Sequence, residues 1–255
     1  MFSEDYTAAA NAAAAKAALL RKNPGGYFML SMLAGMFVGF GVLLVFTLSG
    51  AMAGSPYTKL VMGCTFGVAL SLVVTAGAEL FTGNNMVMTA GMFRKTVTAA
   101  DTLKLWVVCW LGNLAGSVLL AVIYSATGLY SGVVLEAMTT AAAAKMTAGF
   151  VPLLARGILC NTLVCLAVWC GFRCRTEAGK LIMVFWCILA FFATGFEHSV
   201  ANMTLLTLAL ISNGGNPAIT MGGYWFNLLT VTAGNMIGAV LLVALPYHAA
   251  SREIR

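Results

Sequence analysis

A polar stretch, Glu79-Leu80-Phe81-Thr82-Gly83-Asn84-Asn85-Met86, interrupts a long apolar segment of this chain. A second polar stretch, Gly195-Phe196-Glu197-His198-Ser199-Val200-Ala201-Asn202-Met203, interrupts another apolar segment about half a chain length later. Both contain a glutamate, and both end in Asn-Met. Ionisable groups and unwound backbone at membrane depth are tolerated only where protein or a water-lined cavity satisfies them. Because interrupted helices at matching places in two halves of a chain are typical of transport sites, the pattern predicts a channel or transporter.

The composition of the chain excludes water as its main solvent. Hydrophobic residues make up 61% of the 255 residues, charged residues make up 9%, and the mean hydropathy is +0.93. Soluble domains carry about 25% charged residues. The seven cysteines lie within or at the ends of apolar segments, with a spacing that fits neither a zinc site nor a redox pair. We therefore expect small packing thiols and neither a metal nor a cofactor.

Hydropathy divides the chain into six candidate membrane segments. A helix needs about 20 apolar residues to cross the roughly 30 Å hydrocarbon core. The second and fifth segments are too long for one span, and they are the two that carry the polar stretches. The sequence therefore predicts an all-α integral membrane protein with six transmembrane helices, of which the second and fifth are broken. The segments are 27–49, 59–93, 103–127, 147–172, 180–211 and 223–247.

Three regions follow from these segments. Residues 1–26 are predicted to form an N-terminal cytoplasmic or interfacial helix, because residues 3–22 are rich in alanine and 23–26 read Asn-Pro-Gly-Gly. Residues 27–247 are predicted to form the six-span channel domain, and 248–255 a short cytoplasmic tail. No cleavable signal peptide is expected, since the basic residues follow the apolar ones at the N-terminus.

The net charge of +6 is distributed as in a membrane protein. Most of the 14 basic residues lie in the N-terminal region, in the loops after the second and fourth spans, and in the C-terminal tail. Cytoplasmic loops of membrane proteins carry an excess of Lys and Arg. Both termini are therefore predicted to be cytoplasmic, and no nucleic-acid partner is expected.

The two halves of the chain also share a pattern of small residues around an asparagine. The third span contains Gly112-Asn113-Leu114-Ala115-Gly116, and the sixth contains Gly234-Asn235-Met236-Ile237-Gly238. Three spans per half is an odd number, so the second repeat must be inverted in the membrane. Small residues at i and i+4 favour close helix packing, while a buried amide needs hydrogen-bond partners.

The polar stretches carry the candidate chemistry. The N-termini of half-helices favour an anion because they carry partial positive charge and unpaired N–H groups. Thr82 offers a hydroxyl that donates or accepts a hydrogen bond. His198 is the candidate to exchange a proton with a substrate, since an imidazole titrates near neutral pH. The alternative for His198 is a structural hydrogen bond at the helix interruption.

The stretches ELFTGN, CNTLVCLAVW and GFEHSVANM, together with the paired GNxxG motifs, resemble the formate/nitrite transporter family over essentially the whole chain. The run VMGCTFGVALSLVVTAGAELFTG is most similar to the nitrite branch. The resemblance implies an aquaporin-like protomer with one pore, a homopentamer, and a bacterial cytoplasmic (inner) membrane. It also implies passage of small monovalent anions such as nitrite or formate, with protons as a second partner. Hydrosulfide is the alternative substrate within the family.

The resemblance also assigns residues. It matches the family's central histidine to His198, its loop threonine to Thr82 and its pore-side lysine to Lys145, for which Glu197 is the expected ion-pair partner. Asn161 and Asn202 match polar positions on the pore side. The two hydrophobic constrictions match Phe66 and Phe191 on one side and Leu70, Leu80, Phe81 and Val164 on the other, nearer the loop.

Two other classes of protein fit the sequence less well. A neutral-solute channel of the aquaporin type also has six spans and two half-helices, but Asn216-Pro217-Ala218 occurs once, in a polar loop between spans. A membrane enzyme would need a nucleophile–base pair or a metal site. Two histidines, one of them after the last span, supply neither, so the chain is not expected to be an enzyme.

Overall fold

A computed structural model describes residues 2–251. These residues form helices and connecting loops, and no strand occurs among them. Residues 252–255 of the predicted tail lie outside the described residues. In chain order the helices are α1 (Ser3–Lys22), α2 (Pro24–Ala51), α3 (Thr58–Ala76), α4 (Phe81–Phe93), α5 (Ala99–Ala126), α6 (Gly132–Met146), α7 (Phe150–Arg173), α8 (Glu177–Ala193), α9 (Ser199–Ile211), α10 (Met221–Ile237), a π-helical segment (Gly238–Ala244) and α11 (Leu245–Ala250).

Five helical stretches among the described residues are long and apolar enough to cross a membrane: α2, α3, α5, α7 and the continuous stretch Met221–Ala250. The fifth predicted segment instead forms two shorter helices, α8 and α9. The second predicted segment forms α3 followed by the short helix α4. Helix α6, an alanine-rich helix between the third and fourth predicted spans, was not predicted from the sequence.

Both interruptions begin at a glycine with left-handed backbone. Gly77 has φ +76° and ends α3, and Gly195 has φ +78° after the end of α8. Only glycine adopts this conformation without steric cost. Extended backbone then leads into the next helix, at Leu80 before α4 and at His198 before α9.

Two buried asparagines satisfy the backbone groups that the interruptions leave free. Asn113 of α5 donates to the carbonyl of Glu79 (2.9 Å) and accepts from the N–H of Phe81 (2.9 Å). Asn235 of α10 donates to the carbonyl of Glu197 (3.0 Å) and accepts from the N–H of Ser199 (3.0 Å). Each GNxxG asparagine therefore bridges one interruption, as the need of a buried amide for partners predicts.

The glycines around these asparagines permit close helix packing. A Cβ at Gly116 would collide with the backbone carbonyl of Met32 on α2, and a Cβ at Gly238 with that of Ile158 on α7. The α2–α5 and α7–α10 pairs thus approach along equivalent faces in the two halves. Dispersion contacts between closely packed backbones stabilise helix pairs in lipid, where hydrophobic burial cannot.

The N-terminal helix packs against the bundle. Ala13 of α1 lies close to Gly91 of α4, and the hydroxyl of Tyr6 donates to the carbonyl of Ala244 (3.1 Å). Asp5 forms an ion pair with Arg173 at the end of α7 (3.3 Å). Helix α1 therefore closes one end of the bundle, on the same side as α11. We call this side the inner side and the opposite one the outer side.

Candidate permeation pathway

Three cavities follow one another through the bundle. An inner cavity of about 480 Å³ opens beside α1 and is lined by Lys16, Glu79, Asn84 and Lys180 among mainly apolar residues. An outer cavity of about 140 Å³ is lined by Lys145 and Asn202. Between them lies a central chamber of about 10 Å³, which has room for about one water molecule. The cavities mark a path with two lysines near its inner end, one lysine near its outer end, and a narrow, mainly apolar centre.

Two constrictions separate these spaces. Leu70 and Leu80 line both the inner cavity and the chamber. Phe66, Phe191 and His198 line both the chamber and the outer cavity. The rings of Phe66 and Phe191 meet edge to face with their centroids 5.9 Å apart. Apolar side chains at both boundaries exclude an ion that keeps its hydration shell.

The remaining two residues predicted at the constrictions have different positions. Val164 of α7 is buried and lines the central chamber itself. Phe81 is also buried, but it is not among the residues that line these three cavities. Its backbone N–H is held by Asn113 at the start of α4. Phe81 therefore lies beside Leu80 at the start of α4, with its side chain buried in the bundle.

His198 and Thr82 join the two interruptions. The Nε2 atom of His198 lies 3.1 Å from the hydroxyl of Thr82, and its Nδ1 accepts from the backbone N–H of Ala201 (3.1 Å). Because an N–H can only donate, Nδ1 carries no hydrogen and the neutral ring has its proton on Nε2. The starts of α4 and α9 therefore meet beside the chamber, where their partial positive charges add.

Glu197 stands at the centre of a buried polar network. Its carboxylate accepts from Lys145 of α6 (2.7 Å) through Oε1 and from Asn202 (2.6 Å) through Oε2. Asn227 of α10 accepts from Asn202 (2.8 Å) and donates to the carbonyl of Lys145 (3.1 Å). Both carboxylate oxygens are therefore paired, as a buried charge requires. Glu197 itself does not line the three cavities, whereas Lys145 and Asn202 line the outer one.

A matching network surrounds Glu79 on the inner side. Its carboxylate accepts from Lys16 of α1 (2.6 Å) through Oε1, and from Tyr27 (3.1 Å) and Asn84 (2.8 Å) through Oε2. Asn84 thus bonds the glutamate five residues before it, as Asn202 does. The shared Asn-Met pairs match Asn85 to Asn202 in the sequence. In the structure, the residue that corresponds to Asn202 by its hydrogen bond to a glutamate is Asn84.

Asn161 holds the backbone beside the pathway. Its amide donates to the carbonyls of Thr82 (3.2 Å) and Asn235 (2.7 Å), and it is fully buried. Asn161 and Thr82 are not among the residues that line the three cavities. Asn161 therefore links α7 to the start of α4 and to α10, so its contact with a permeating species would be indirect.

Lys16 and Glu79 are charged site residues that were not assigned from the sequence. The sequence did contain a signal for this pair. Glu79 occupies the same place in the first polar stretch as Glu197 in the second, so the expected ion pair of Glu197 implies a cation for Glu79 as well. Lys16 is the one basic residue within the alanine-rich part of the N-terminal helix. The apolar neighbours of Lys16 are buried against the bundle.

Comparison with known proteins identifies similar chains. Residues 3–249 match the model of the family described as formate/nitrite transporter. The nitrite transporter NirC of Salmonella typhimurium is 42% identical over 248 residues, which span 97% of this chain and 91% of that protein. Among solved structures, an FNT family ion channel has a TM-score of 0.93 at 40% identity and covers 98% of this chain and 99% of its own. A pentameric formate channel with formate bound has a TM-score of 0.80 at 27% identity, covering 90% and 98%.

Proposed function

The chain belongs to the formate/nitrite transporter family, and we propose that it carries small monovalent anions of the nitrite or formate class through the pathway described above. The observation that carries this proposal is the central chamber, where His198 faces a space enclosed by two apolar constrictions. The similar proteins are named transporters and channels rather than enzymes.

The proposed topology has six spans. Helices α3 and α4 together would form the second span, and α8 and α9 the fifth, so that both interruptions lie within the membrane. The two halves would be inverted repeats in an aquaporin-like protomer. Support comes from the matching bridges of Asn113 and Asn235 and from the matching networks around Glu79 and Glu197.

The proposed mechanism separates attraction from dehydration. A lysine near each mouth raises the local anion concentration, and the apolar constrictions then require the anion to lose water. Moving a bare carboxylate-sized ion into such a region costs many kcal/mol, whereas a neutral acid crosses with a much smaller penalty. Conduction in this pathway therefore favours anions that are weak bases and can take up a proton in transit.

His198 is the group proposed to supply that proton. Transfer from Nε2 to an anion requires the imidazolium form, in which both ring nitrogens carry hydrogen. Protonation of Nδ1 would break its acceptor bond with the N–H of Ala201 at the start of α9. Proton transfer by His198 is therefore coupled to loss of one cap bond of this helix, and the neutral ring acts as a hydrogen-bond donor through Nε2.

The assembly and orientation are part of the same proposal. We propose a homopentamer with one pathway in each protomer, in a bacterial cytoplasmic membrane, with the inner side facing the cytoplasm. The Lys and Arg distribution supports this orientation. The pentameric state of the solved formate channel, which superposes over 90% of this chain, supports the assembly.

Flux measurements in proteoliposomes test the proposed function. Purified protein in neutral lipid should carry nitrite and formate well above protein-free vesicles, while glycerol swelling stays at the vesicle background. Hydrosulfide flux in the same vesicles distinguishes the alternative substrate, which would be preferred if it passed faster than nitrite. Glycerol passage without anion flux would contradict the proposal and favour a neutral-solute channel.

A further inference from the structure

A second lysine lines the inner cavity, and neither the resemblance nor the interruptions assign it. Lys180 lies in the first turn of α8 and lines the same cavity as Lys16 of α1. A cation near the start of a helix is disfavoured by the positive end of the helix dipole. The helix dipole therefore does not favour a cation at the position of Lys180.

The two lysines of the inner cavity differ in how firmly they are paired. Lys16 is bonded to Glu79, whose side chain is 10% exposed and carries two further hydrogen bonds. Breaking that pair would leave a buried carboxylate without its cation, which is costly. Lys16 is therefore a fixed charge that cannot exchange its partner for an anion.

Lys180 can exchange its partner. Its ammonium group lies 2.8 Å from Glu177 one turn earlier in α8, and the Glu177 side chain is 80% exposed. An ion pair with such an exposed partner contributes little, because water solvates both charges when they separate. Glu177 is also absent from the cavity lining, so an entering anion would approach Lys180 from a different side than its present partner.

We propose that Lys180 is the anion-recruiting residue of the inner mouth, binding a small monovalent anion that displaces Glu177 before the anion moves on toward Leu70 and Leu80. This inference rests on the proposed function, since it assumes that the inner cavity is one mouth of an anion pathway. The charge of Lys180 makes the inner mouth more positive than the buried Lys16–Glu79 pair alone would make it. Removal of Lys180 should therefore slow entry from the inner side selectively.

The test compares Lys180→Gln with Lys104→Gln. Lys104 is an exposed lysine near the start of α5 that does not line the cavity, so its replacement makes the same change of net charge without changing the mouth. Nitrite flux is recorded in proteoliposomes of neutral lipid, which excludes a role of anionic headgroups. The orientation of the protein is assigned from the accessibility of a terminal tag, and nitrite concentration is held constant.

Lys180→Gln should reduce nitrite flux entering from the inner side by roughly two- to fivefold at low ionic strength, with a smaller effect on entry from the outer side. Raising the ionic strength to about 1 M with gluconate should remove the difference, since the screening length falls to about 3 Å. Glu177→Gln should increase inner entry, because it removes the competing carboxylate. Lys104→Gln should behave as wild type.

The inference is overturned if Lys180→Gln equals Lys104→Gln, or if its effect is the same from both sides and at all salt concentrations. A wild-type protein that carries no nitrite flux would instead contradict the proposed function itself. Size-exclusion profiles of all four proteins show whether the assembly is retained. Glu177→Gln provides a second variant, in which a change of rate in the upward direction cannot arise from misfolding.

Discussion

His198 is held through both ring nitrogens, by Ala201 at Nδ1 and by Thr82 at Nε2. The first bond caps α9, and the second connects the two interruptions. These contacts combine the two interpretations that the sequence left open, because the residue is a structural cap and also faces the chamber. Distinguishing the roles requires a replacement that keeps the cap but cannot carry a proton.

His198→Asn meets that requirement, since asparagine is among the preferred N-cap residues. We expect the variant to assemble normally. Asparagine does not titrate, so nitrite and formate flux should lose the increase at low pH that protonation in transit produces. The measurement is flux in proteoliposomes at about pH 5 and about pH 7.5, on either side of the ordinary imidazole pKa, with the internal pH followed by a dye. Wild-type rates and proton coupling at both pH values would leave His198 with a structural role only.

A second prediction for individual residues concerns the buried ion pair of Lys145 and Glu197. Lys145→Gln leaves the buried carboxylate of Glu197 without its cation, which should destabilise the protein by about 3 kcal/mol or more. The double variant Lys145→Gln with Glu197→Gln should recover most of that loss, while anion entry from the outer side stays reduced. Thermal unfolding midpoints and flux at low and high salt measure the two effects separately.

Lys145→Gln, Glu197→Gln and the double variant form, with the wild type, a cycle that isolates the coupling between the two side chains. Lys145→Glu is a less informative change, because it would place two carboxylates against each other. If the double variant were as unstable as Lys145→Gln alone, uncompensated charge on Glu197 would not be the cause. If the double variant recovered anion entry from the outer side together with its thermal stability, Lys145 would have no part in attracting anions.

At the scale of the helices, close packing of α5 on α2 depends on residues without a side chain. Gly116→Ala should destabilise the protein by about 1–3 kcal/mol, because a methyl group there meets the backbone of Met32. Gly171→Ala on α7 is the matched control, since no atom lies within 4 Å of a Cβ at that position. It should be neutral or stabilising by up to about 1 kcal/mol.

Thermal unfolding of both glycine variants and the wild type checks this prediction. The contrast matters because both changes add one methyl group to a helix. Equal unfolding midpoints for Gly116→Ala and Gly171→Ala would show that α2 and α5 can separate slightly without loss of stability. In that case only the asparagine of the GNxxG pattern would be needed for the structure, and the glycines would not.

Hydropathy and glycine placement predict many of the elements but not all of them. Both interruptions could be located because Glu79 and Glu197 are expensive in lipid. Helix α6 was missed, since an alanine-rich stretch of 15 residues is too short to span a membrane and lacks a clear amphipathic pattern. The structure shows that α6 packs beside the second interruption, because Lys145 in its last turn forms an ion pair with Glu197.

For the whole molecule, the sequence alone predicts the membrane class and the family, and the family is confirmed by the match over residues 3–249. The resemblance also supplied His198, Thr82 and Lys145. The contact of Lys16 with Glu79 could not be predicted, because it joins residues 63 positions apart and depends on how α1 folds back onto the bundle.

The central claim is that anions pass through the chamber between the two constrictions. Nitrite flux through Val164→Phe tests it most directly, because Val164 lines the chamber and a larger ring would fill a space of about 10 Å³. Leu159→Phe is the control, placing the same ring on the exposed face of α7, where Leu159 is 46% exposed. Size-exclusion profiles show that both variants assemble.

We predict that Val164→Phe lowers nitrite flux in proteoliposomes by about tenfold or more, since an added barrier of about 1.4 kcal/mol suffices for that change. Leu159→Phe should carry nitrite at the wild-type rate. Wild-type flux through an assembled Val164→Phe protein would contradict the account, because the anion would then have to cross by another route.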